Sequence, residues 1–196
     1  MIYAIQVAST PAISLISALQ SLGAPGKKLI TAYSITGDNL YTGLLRFISD
    51  GVFIFPNECT VGAWRQKGKP VFRYLFEQRN PWHPDALGAH HAVDLLYLFR
   101  TFKFPDEGSE KVGLQVQDDF INFTTAEGGV VNLETQMGWD GLGEKVRTFG
   151  GPDGTIGFTD KGEFGQKRRV DIFEGVLKEI GIEMVAKAIG CVLRSF

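Results

Sequence analysis

One stretch of the sequence, residues 71–99, constrains the fold more than any other. It begins with V-F-R-Y-L-F-E, a run of β-branched and aromatic residues that is apolar at most positions. Such a run is typical of a β-strand that is covered on both faces. A proline-containing loop follows, then a Gly-Ala turn with His90 and His91, then a short helical apolar run from Val93. The stretch therefore predicts a strand, a histidine-bearing loop and a helix in immediate succession.

This order of elements presents the catalytic base in α/β-hydrolases. The loop, read as G-A-H-H-A-V-D-L-L-Y-L-F over residues 88–99, resembles the histidine loop of the type-B carboxylesterases, the family of the cholinesterases and many fungal esterases and lipases. That family carries G-A-x-H-[GAS]-x-[ED]-[LI]-x-[YF]-x-F at this place. On this resemblance His91 is the general base, and His90 fills the variable position before it.

Weaker matches to the same family fall in the same order over roughly residues 10–180. Asp50, Phe53 and Pro56 resemble its D-x-x-F-x-x-P element, and residues 71–76 resemble its [VP]-[VY]-x-Y-x-F strand. The resemblance implies an α/β fold, namely the C-terminal portion of an α/β-hydrolase, mostly helical with a small mixed sheet. It also implies one partial carboxylesterase domain over residues 1–196.

Hydrophobic periodicity and turn residues predict the remaining elements. Helices are expected over residues 10–22, 26–33, 38–50, 59–66, 93–100, 109–127, 166–180 and 184–196, and short strands over 145–149 and 155–159. Ser109 is expected to cap the helix that it begins. Glycines predict a break over residues 162–165.

The residues that would complete a catalytic triad are not identifiable in the sequence. Hydrolases of this fold carry the triad in the order Ser, acid, His, with the serine in G-x-S-x-G. No serine here has that context, and the Gly-Gly-Gly oxyanion loop of the family is absent. Only 90 residues precede His91, whereas the family has its serine and glutamate much further upstream. We therefore expect the C-terminal part of a carboxylesterase, inactive alone, from a truncated gene model, a split gene or a degenerate copy.

The histidines also have other interpretations. His91 could be a loop histidine that is hydrogen-bonded to local backbone, because neither a serine nor a carboxylate partner is evident. His90 could be a surface or pocket-side aromatic residue. A metal could be bound by His83, His90 and His91, but adjacent histidines do not readily face one ion, and no i, i+4 pair exists. We predict no metal and no cofactor.

Four carboxylates are candidates to orient His91. Asp94 is better explained as a negative charge in the first turn of the following helix, where it interacts favourably with the helix dipole. Asp50 is a helix-end residue in the resembled family, which favours a structural role. Glu58 and Glu77 are more remote alternatives.

Several other residues allow a catalytic or a structural interpretation, and the structural one is favoured for each. Cys59 could be a nucleophile, but a buried or half-buried thiol is the simpler prediction, and with Cys191 it is expected to be a free thiol rather than a disulfide. The basic triplet 167–169 is expected to be the solvated start of a helix. Glycine pairs at 128–129 and 150–151 are expected to form turns.

Charge and hydropathy exclude several classes of partner. The net charge of −2 gives no electrostatic reason to expect nucleic acid. No apolar run reaches the ~20 residues of a transmembrane helix, and the N-terminus is a poor signal peptide, so the sequence does not assign a compartment.

We expect a carboxylic ester hydrolase with a small-molecule ester substrate. The alternative is a non-catalytic esterase-like module that binds a protein partner or a small lipid.

The strand over residues 71–77 also bears on assembly. Without the upstream strands of a complete hydrolase, one side of this strand would be unpaired and apolar. Such an edge promotes association between chains. We therefore expect self-association through an exposed sheet edge.

Overall fold

The structure, a computed structural model, describes residues 12–126, 133–134, 138–151 and 154–194. The chain divides into two compact units, Met1–Thr60 with Gly165–Phe196 and Val61–Phe164. We refer to them as the helical unit and the sheet unit. The described helices are α1 (Ala12–Gln20), α2 (Ala24–Ala32), α3 (Leu40–Ser49), α4 (Phe55–Gln66), α5 (Val93–Phe99), α6 (Glu107–Thr125), α7 (Lys161–Lys167), α8 (Val170–Ile180) and α9 (Ile182–Arg194). Short 3-10 helices (Gly37–Asn39 and Asp85–Leu87) and a π-helix (Asp50–Ile54) lie between them.

The helical unit has a continuous apolar core that its helices share. Apolar side chains at three- to four-residue spacing on these helices fill it, including Leu19, Leu29, Tyr33, Leu44, Phe47, Phe173, Val176 and Val185. Helices α1 and α2 approach closely because Gly26 has no side chain: a Cβ there would lie 1.8 Å from the backbone oxygen of Leu19. The close approach requires glycine at this position.

The sheet unit contains a mixed three-stranded sheet in the order β1-β2-β3. Strand β1 (Arg73–Phe76) pairs in parallel with β2 (Lys145–Phe149), which pairs antiparallel with β3 (Ile156–Asp160). The predicted strands and the small mixed sheet are thus confirmed, with β1 at one edge of the described sheet.

Helices α5 and α6 pack against this sheet through a second apolar core. It contains Val93, Tyr97, Phe104, Val112, Val116 and Phe149. An ion pair adds to the attachment: Arg147 on β2 donates through Nε to Asp119 on α6 at 2.7 Å, with side-chain exposures of 13% and 4%. Helix α6 is therefore held on the sheet by both apolar and charged contacts.

The prediction that β1 is covered on both faces is wrong at one residue. Arg73 and Leu75 are buried, but Tyr74 is 41% exposed. Its ring packs edge-on against Phe120 and Phe149, and because β1 is an edge strand the rest of the ring remains open to solvent.

Helix ends differ from the prediction where side chains or tertiary contacts decide them. Asp106, not Ser109, caps α6, because its Oδ1 accepts the Ser109 backbone N–H at 2.7 Å. The predicted break at 162–165 is instead helix α7. Glycine weakens a helix by about 1 kcal/mol, but Phe164 is buried there and lies 4.8 Å from the Arg73 guanidinium.

Two further boundaries moved. The apolar segment 52–55 continues through the π-helix into α4, since Pro56 occupies the first turn, where proline is tolerated. Helix α8 begins at Val170 rather than at residue 166, because Arg169 has a left-handed backbone with φ 52°. The predicted helix start at 10–11 and the glycine pair at 128–129 lie outside the described residues.

Candidate active site

His91 lies on the turn that joins the loop after β1 to helix α5, and it is exposed. The turn is closed by the Val93 backbone N–H, which donates to the His90 oxygen at 3.1 Å. Ala92 is left-handed, with φ 64°. This conformation costs a residue with a Cβ roughly 1 kcal/mol, so the turn carries backbone strain directly after His91.

Two tyrosine hydroxyls anchor helix α5 by hydrogen bonds. Asp94, in the first turn, accepts a hydrogen bond from the Tyr74 hydroxyl at 3.0 Å. Burial, and then the Asp94 carboxylate, raise the pKa of Tyr74 to about 12, so this phenol remains a donor. The Tyr97 hydroxyl donates to the backbone oxygen of Arg79 at 2.8 Å. These contacts fix α5, and with it the start of the turn at His91, against β1 and its following loop.

The loop from Arg79 to Leu87 is held by its own side chains. Asn80 is buried, and its Oδ1 accepts the Trp82 backbone N–H at 3.0 Å. Arg79 and Asp85 form an ion pair across the loop. The histidine turn is therefore reached through an ordered, internally bonded connection.

The structure brings His83 and His90 together. His83 Nδ1 lies 2.8 Å from His90 Nε2, and His90 Nδ1 lies 3.4 Å from the backbone oxygen of His91. Burial, the largest influence, lowers the pKa of His90 and favours its neutral form. The sequence interpretation of His90 as a surface or pocket-side residue missed this pair. No helical or strand spacing signals it, because a proline-containing loop separates the two residues.

A metal site formed by His83, His90 and His91 is the remaining alternative for these residues. Across residues 12–126, 133–134, 138–151 and 154–194, no group of three or more His, Cys, Asp or Glu side chains is placed to hold a metal ion. The structure thus pairs two of the three histidines.

Asp50 lies in the helical unit, at the start of the π-helix, and is 2% exposed. The Tyr33 hydroxyl donates to its Oδ2 at 3.2 Å, and Arg168 Nη1 lies 3.8 Å from its Oδ1. Burial raises the pKa of Asp50 to about 6, and Arg168 opposes that rise. These contacts support the predicted structural role of this acid.

The prediction that residues 167–169 are a solvated helix start is wrong for its two arginines. Arg168 and Arg169 are half-buried. Arg169 donates through Nε to the Ala32 oxygen at 2.7 Å, and its guanidinium lies 5.0 Å from the Tyr33 ring. The two cations compensate the buried Asp50 carboxylate, which explains their position.

The other candidates occupy structural positions. Cys59 is a free thiol, as predicted, but it is exposed on α4 rather than buried or half-buried. Glu58 lies on the same helix. The backbone N–H of Glu77 donates to the Phe149 oxygen at 2.8 Å and extends the pairing of β1 with β2. The glycines at 150 and 151 have φ of 87° and 112°, as expected for turn residues. The side chain of Cys191 lies outside the described part of the structure.

Of the helices in the described part of the chain, none combines the length and the apolarity needed to cross a bilayer.

Comparison with known proteins identifies a family and two relatives of this chain. The sequence model of the carboxylesterase family matches residues 24–145, a range that includes His91. Lipase 1 of Yarrowia lipolytica is 32% identical over 100 residues, and Lipase 3 of the same yeast is 31% identical over 102 residues. Each alignment covers 49% of this chain but 20% of the lipase, so the matched part spans about one fifth of either relative. No solved structure matches the chain.

The matched range includes strand β1, the histidine turn and helices α5 and α6. It also extends over more than half of the 196 residues. The chain therefore belongs to the carboxylesterase family.

Proposed function

We propose that this chain provides the catalytic histidine, His91, of a carboxylic ester hydrolase. The observation that carries the proposal is the position of His91: exposed, on a turn between an anchored strand and an anchored helix, within the range matched by the family. An exposed imidazole at such a place can reach a serine hydroxyl on a facing surface. Family membership supplies the reaction class.

In this reaction the imidazole of His91 removes the proton of a serine hydroxyl as the oxygen attacks the ester carbonyl. It then returns that proton to the departing alcohol, and an acyl-serine remains. In the second half, the same imidazole deprotonates a water molecule as its oxygen attacks the acyl carbon. The bond to the serine oxygen then breaks, the imidazolium returns its proton to that oxygen, and the carboxylic acid is released. A carboxylate on the other ring nitrogen would orient the imidazole and stabilise its charged form.

We propose further that the serine and this carboxylate come from polypeptide outside the 196 residues. The sequence contains no G-x-S-x-G and no Gly-Gly-Gly loop. In this proposal residues 1–196 form one partial domain of an α/β-hydrolase fold, and the chain alone does not turn over esters.

Reconstitution tests this proposal. The DNA upstream of the codon for Met1 is expected to encode a G-E-S-A-G-like elbow, and the encoded polypeptide is co-expressed with this chain. We expect the chain alone to leave p-nitrophenyl butyrate intact and the complex to hydrolyse it. The matched control is Lys103→Ala, an exposed position on a neighbouring loop, which should retain turnover. Unrelated sequence upstream, or hydrolysis by the chain alone, would contradict the proposal.

A second candidate function is a non-catalytic module that binds a protein partner or a small lipid. An exposed aromatic surface favours it: Trp82, Phe99 and Phe102 are 47%, 65% and 59% exposed, and the Trp82 and Phe102 rings lie 5.7 Å apart. Under this candidate, binding of a fluorescent fatty acid survives His91→Ala and is lost in Phe102→Ser. Ester turnover by the complex that disappears in His91→Ala would refute it.

A further inference from the structure

The contact between His83 and His90 has the geometry of a hydrogen bond in the plane of two imidazoles. Their nitrogens are 2.8 Å apart, their ring centroids 4.9 Å apart, and their ring planes differ by 21°. The centroid separation exceeds the nitrogen separation by about two ring radii, so the rings meet edge to edge rather than face to face. At this distance one nitrogen must carry a proton and the other a lone pair.

Two longer contacts compete to decide which nitrogen carries that proton. His90 Nδ1 faces the His91 backbone oxygen at 3.4 Å, and the oxygen can only accept. His83 Nδ1 lies 3.4 Å from Asn80 Nδ2, which can only donate. The amide orientation of Asn80 is fixed, because its Oδ1 already accepts the Trp82 N–H.

The two contacts demand opposite tautomers. If His83 Nδ1 donates to His90, then His90 keeps its own proton on Nδ1 and donates to His91. If His83 Nδ1 instead accepts from Asn80 and from His90 Nε2, the His90 Nδ1 lone pair faces the carbonyl oxygen. Donation from imidazole Nδ1 to a backbone oxygen is the common device that sets a histidine tautomer in proteins, and it favours the first arrangement.

We propose that His83 and His90 are positioning residues for His91, in which His83 Nδ1–H donates to His90 Nε2 and His90 Nδ1–H donates to the backbone oxygen of His91. The chain of bonds ends on the peptide group that joins His91 to the left-handed Ala92. A strained residue such as Ala92 persists only where its surroundings hold it. The hydrogen bond from His90 to the His91 oxygen holds the peptide group next to Ala92. The direction of the His91 side chain follows from that backbone conformation.

Burial supports the assignment, because it lowers the pKa of His90 and so preserves the lone pair that accepts from His83. The imidazoles of His83 and His91 also lower the pKa of His90. On the same loop Arg79 and Asp85 form an ion pair with each other. The role of His83 and His90 in catalysis rests on the proposed function of His91, whereas the hydrogen bond between them does not.

The experiment is nitrogen NMR of the whole chain, labelled with ¹⁵N-histidine, near neutral pH. The chain has three histidines, so single His→Gln variants assign every imidazole. We expect His83 and His90 both as the Nδ1–H tautomer, with a through-bond coupling between His83 Nδ1 and His90 Nε2. The coupling should disappear in His83→Gln and in His90→Gln and remain in His91→Gln, the matched control.

A second readout reports the positioning itself. His90→Phe keeps a ring but loses both hydrogen bonds. Of these two, only the bond to the His91 oxygen holds the turn backbone, so amide exchange at Val93 should become about five- to tenfold faster, as loss of that one bond predicts. His91→Phe should leave that rate unchanged. A protonated Nε2 on His90, absence of the coupling, or an unaltered Val93 exchange rate would overturn the inference. Neither readout depends on ester turnover, so failure of the proposed function would leave both results intact.

Discussion

Replacing the buried Asp50 by asparagine should change the pH dependence of the stability of the helical unit. The amide is nearly isosteric with the carboxylate. Its oxygen can still accept from the Tyr33 hydroxyl, which donates to Asp50 Oδ2 at 3.2 Å in the wild-type protein. The variant therefore removes the buried charge and retains the hydrogen bond. The variant thus loses mainly the desolvation free energy of the buried carboxylate. The attraction of that carboxylate to Arg168 offsets part of this unfavourable free energy in the wild-type protein.

The magnitude follows from the pKa. Burial raises the pKa of Asp50 from 3.8 to about 6, and each pKa unit corresponds to about 1.4 kcal/mol. The folded state binds this proton more tightly than the unfolded state does. The stabilising contribution is therefore fully present below pH 3.8 and is lost as the pH rises through about 6. At pH 7 the charged form should cost roughly 3 kcal/mol relative to the protonated form.

Urea unfolding of the wild type and Asp50→Asn between pH 4 and pH 8 measures this effect. The difference between the two proteins cancels the titration of all other groups. All three tryptophans lie within Val61–Phe164, so their fluorescence reports on the sheet unit. Circular dichroism, to which helices of both units contribute, is therefore used to follow the helical unit. We expect the variant to gain up to roughly 3 kcal/mol at pH 7 and little at pH 4. A difference that stays constant with pH, or Asp38→Asn behaving the same way, would refute the reasoning.

Three further outcomes follow from the sheet unit. Asp119→Ala leaves the nearly buried Arg147 without its carboxylate and should destabilise the unit by about 3–5 kcal/mol in tryptophan-monitored urea unfolding; a loss below 1 kcal/mol would contradict a buried pair. Ala92→Gly relieves the left-handed strain and should stabilise the same transition by about 1 kcal/mol, whereas Ala92→Val should do the reverse. Strand β1 at the sheet edge should make the isolated chain self-associate in sedimentation velocity, and Tyr74→Lys should reduce that association. A wild-type chain that sediments as a monomer at all concentrations would contradict the edge prediction.

Sequence reasoning succeeded where local pattern decides the structure. The β-branched run before the histidine loop became β1, and the apolar run from Val93 became α5. The predicted strand at 145–149 has the observed bounds of β2. In each case the residues that specify the element are contiguous, and their spacing alone distinguishes strand from helix.

Features set by residues that are distant in sequence could not be read in this way. Helix α7 crosses two glycines because Phe164 finds a buried place beside Arg73. Arg168 lies beside Asp50 because a buried carboxylate needs a cation, and neither segment signals the other. For the candidate site, the histidine motif predicts His91 as the base but does not signal the pairing of His83 with His90, which depends on the path of the loop.

Acylation of the reconstituted esterase, followed as the p-nitrophenol burst from p-nitrophenyl butyrate, tests the role of His91 most directly. Removal of a general base costs about 10²–10⁴-fold in rate or more, so His91→Ala should reduce the burst rate by at least about a hundredfold while Lys103→Ala leaves it unchanged. A burst in His91→Ala at the rate of the unmodified complex would show that the hydrolysis uses another base, and the central assignment would be wrong.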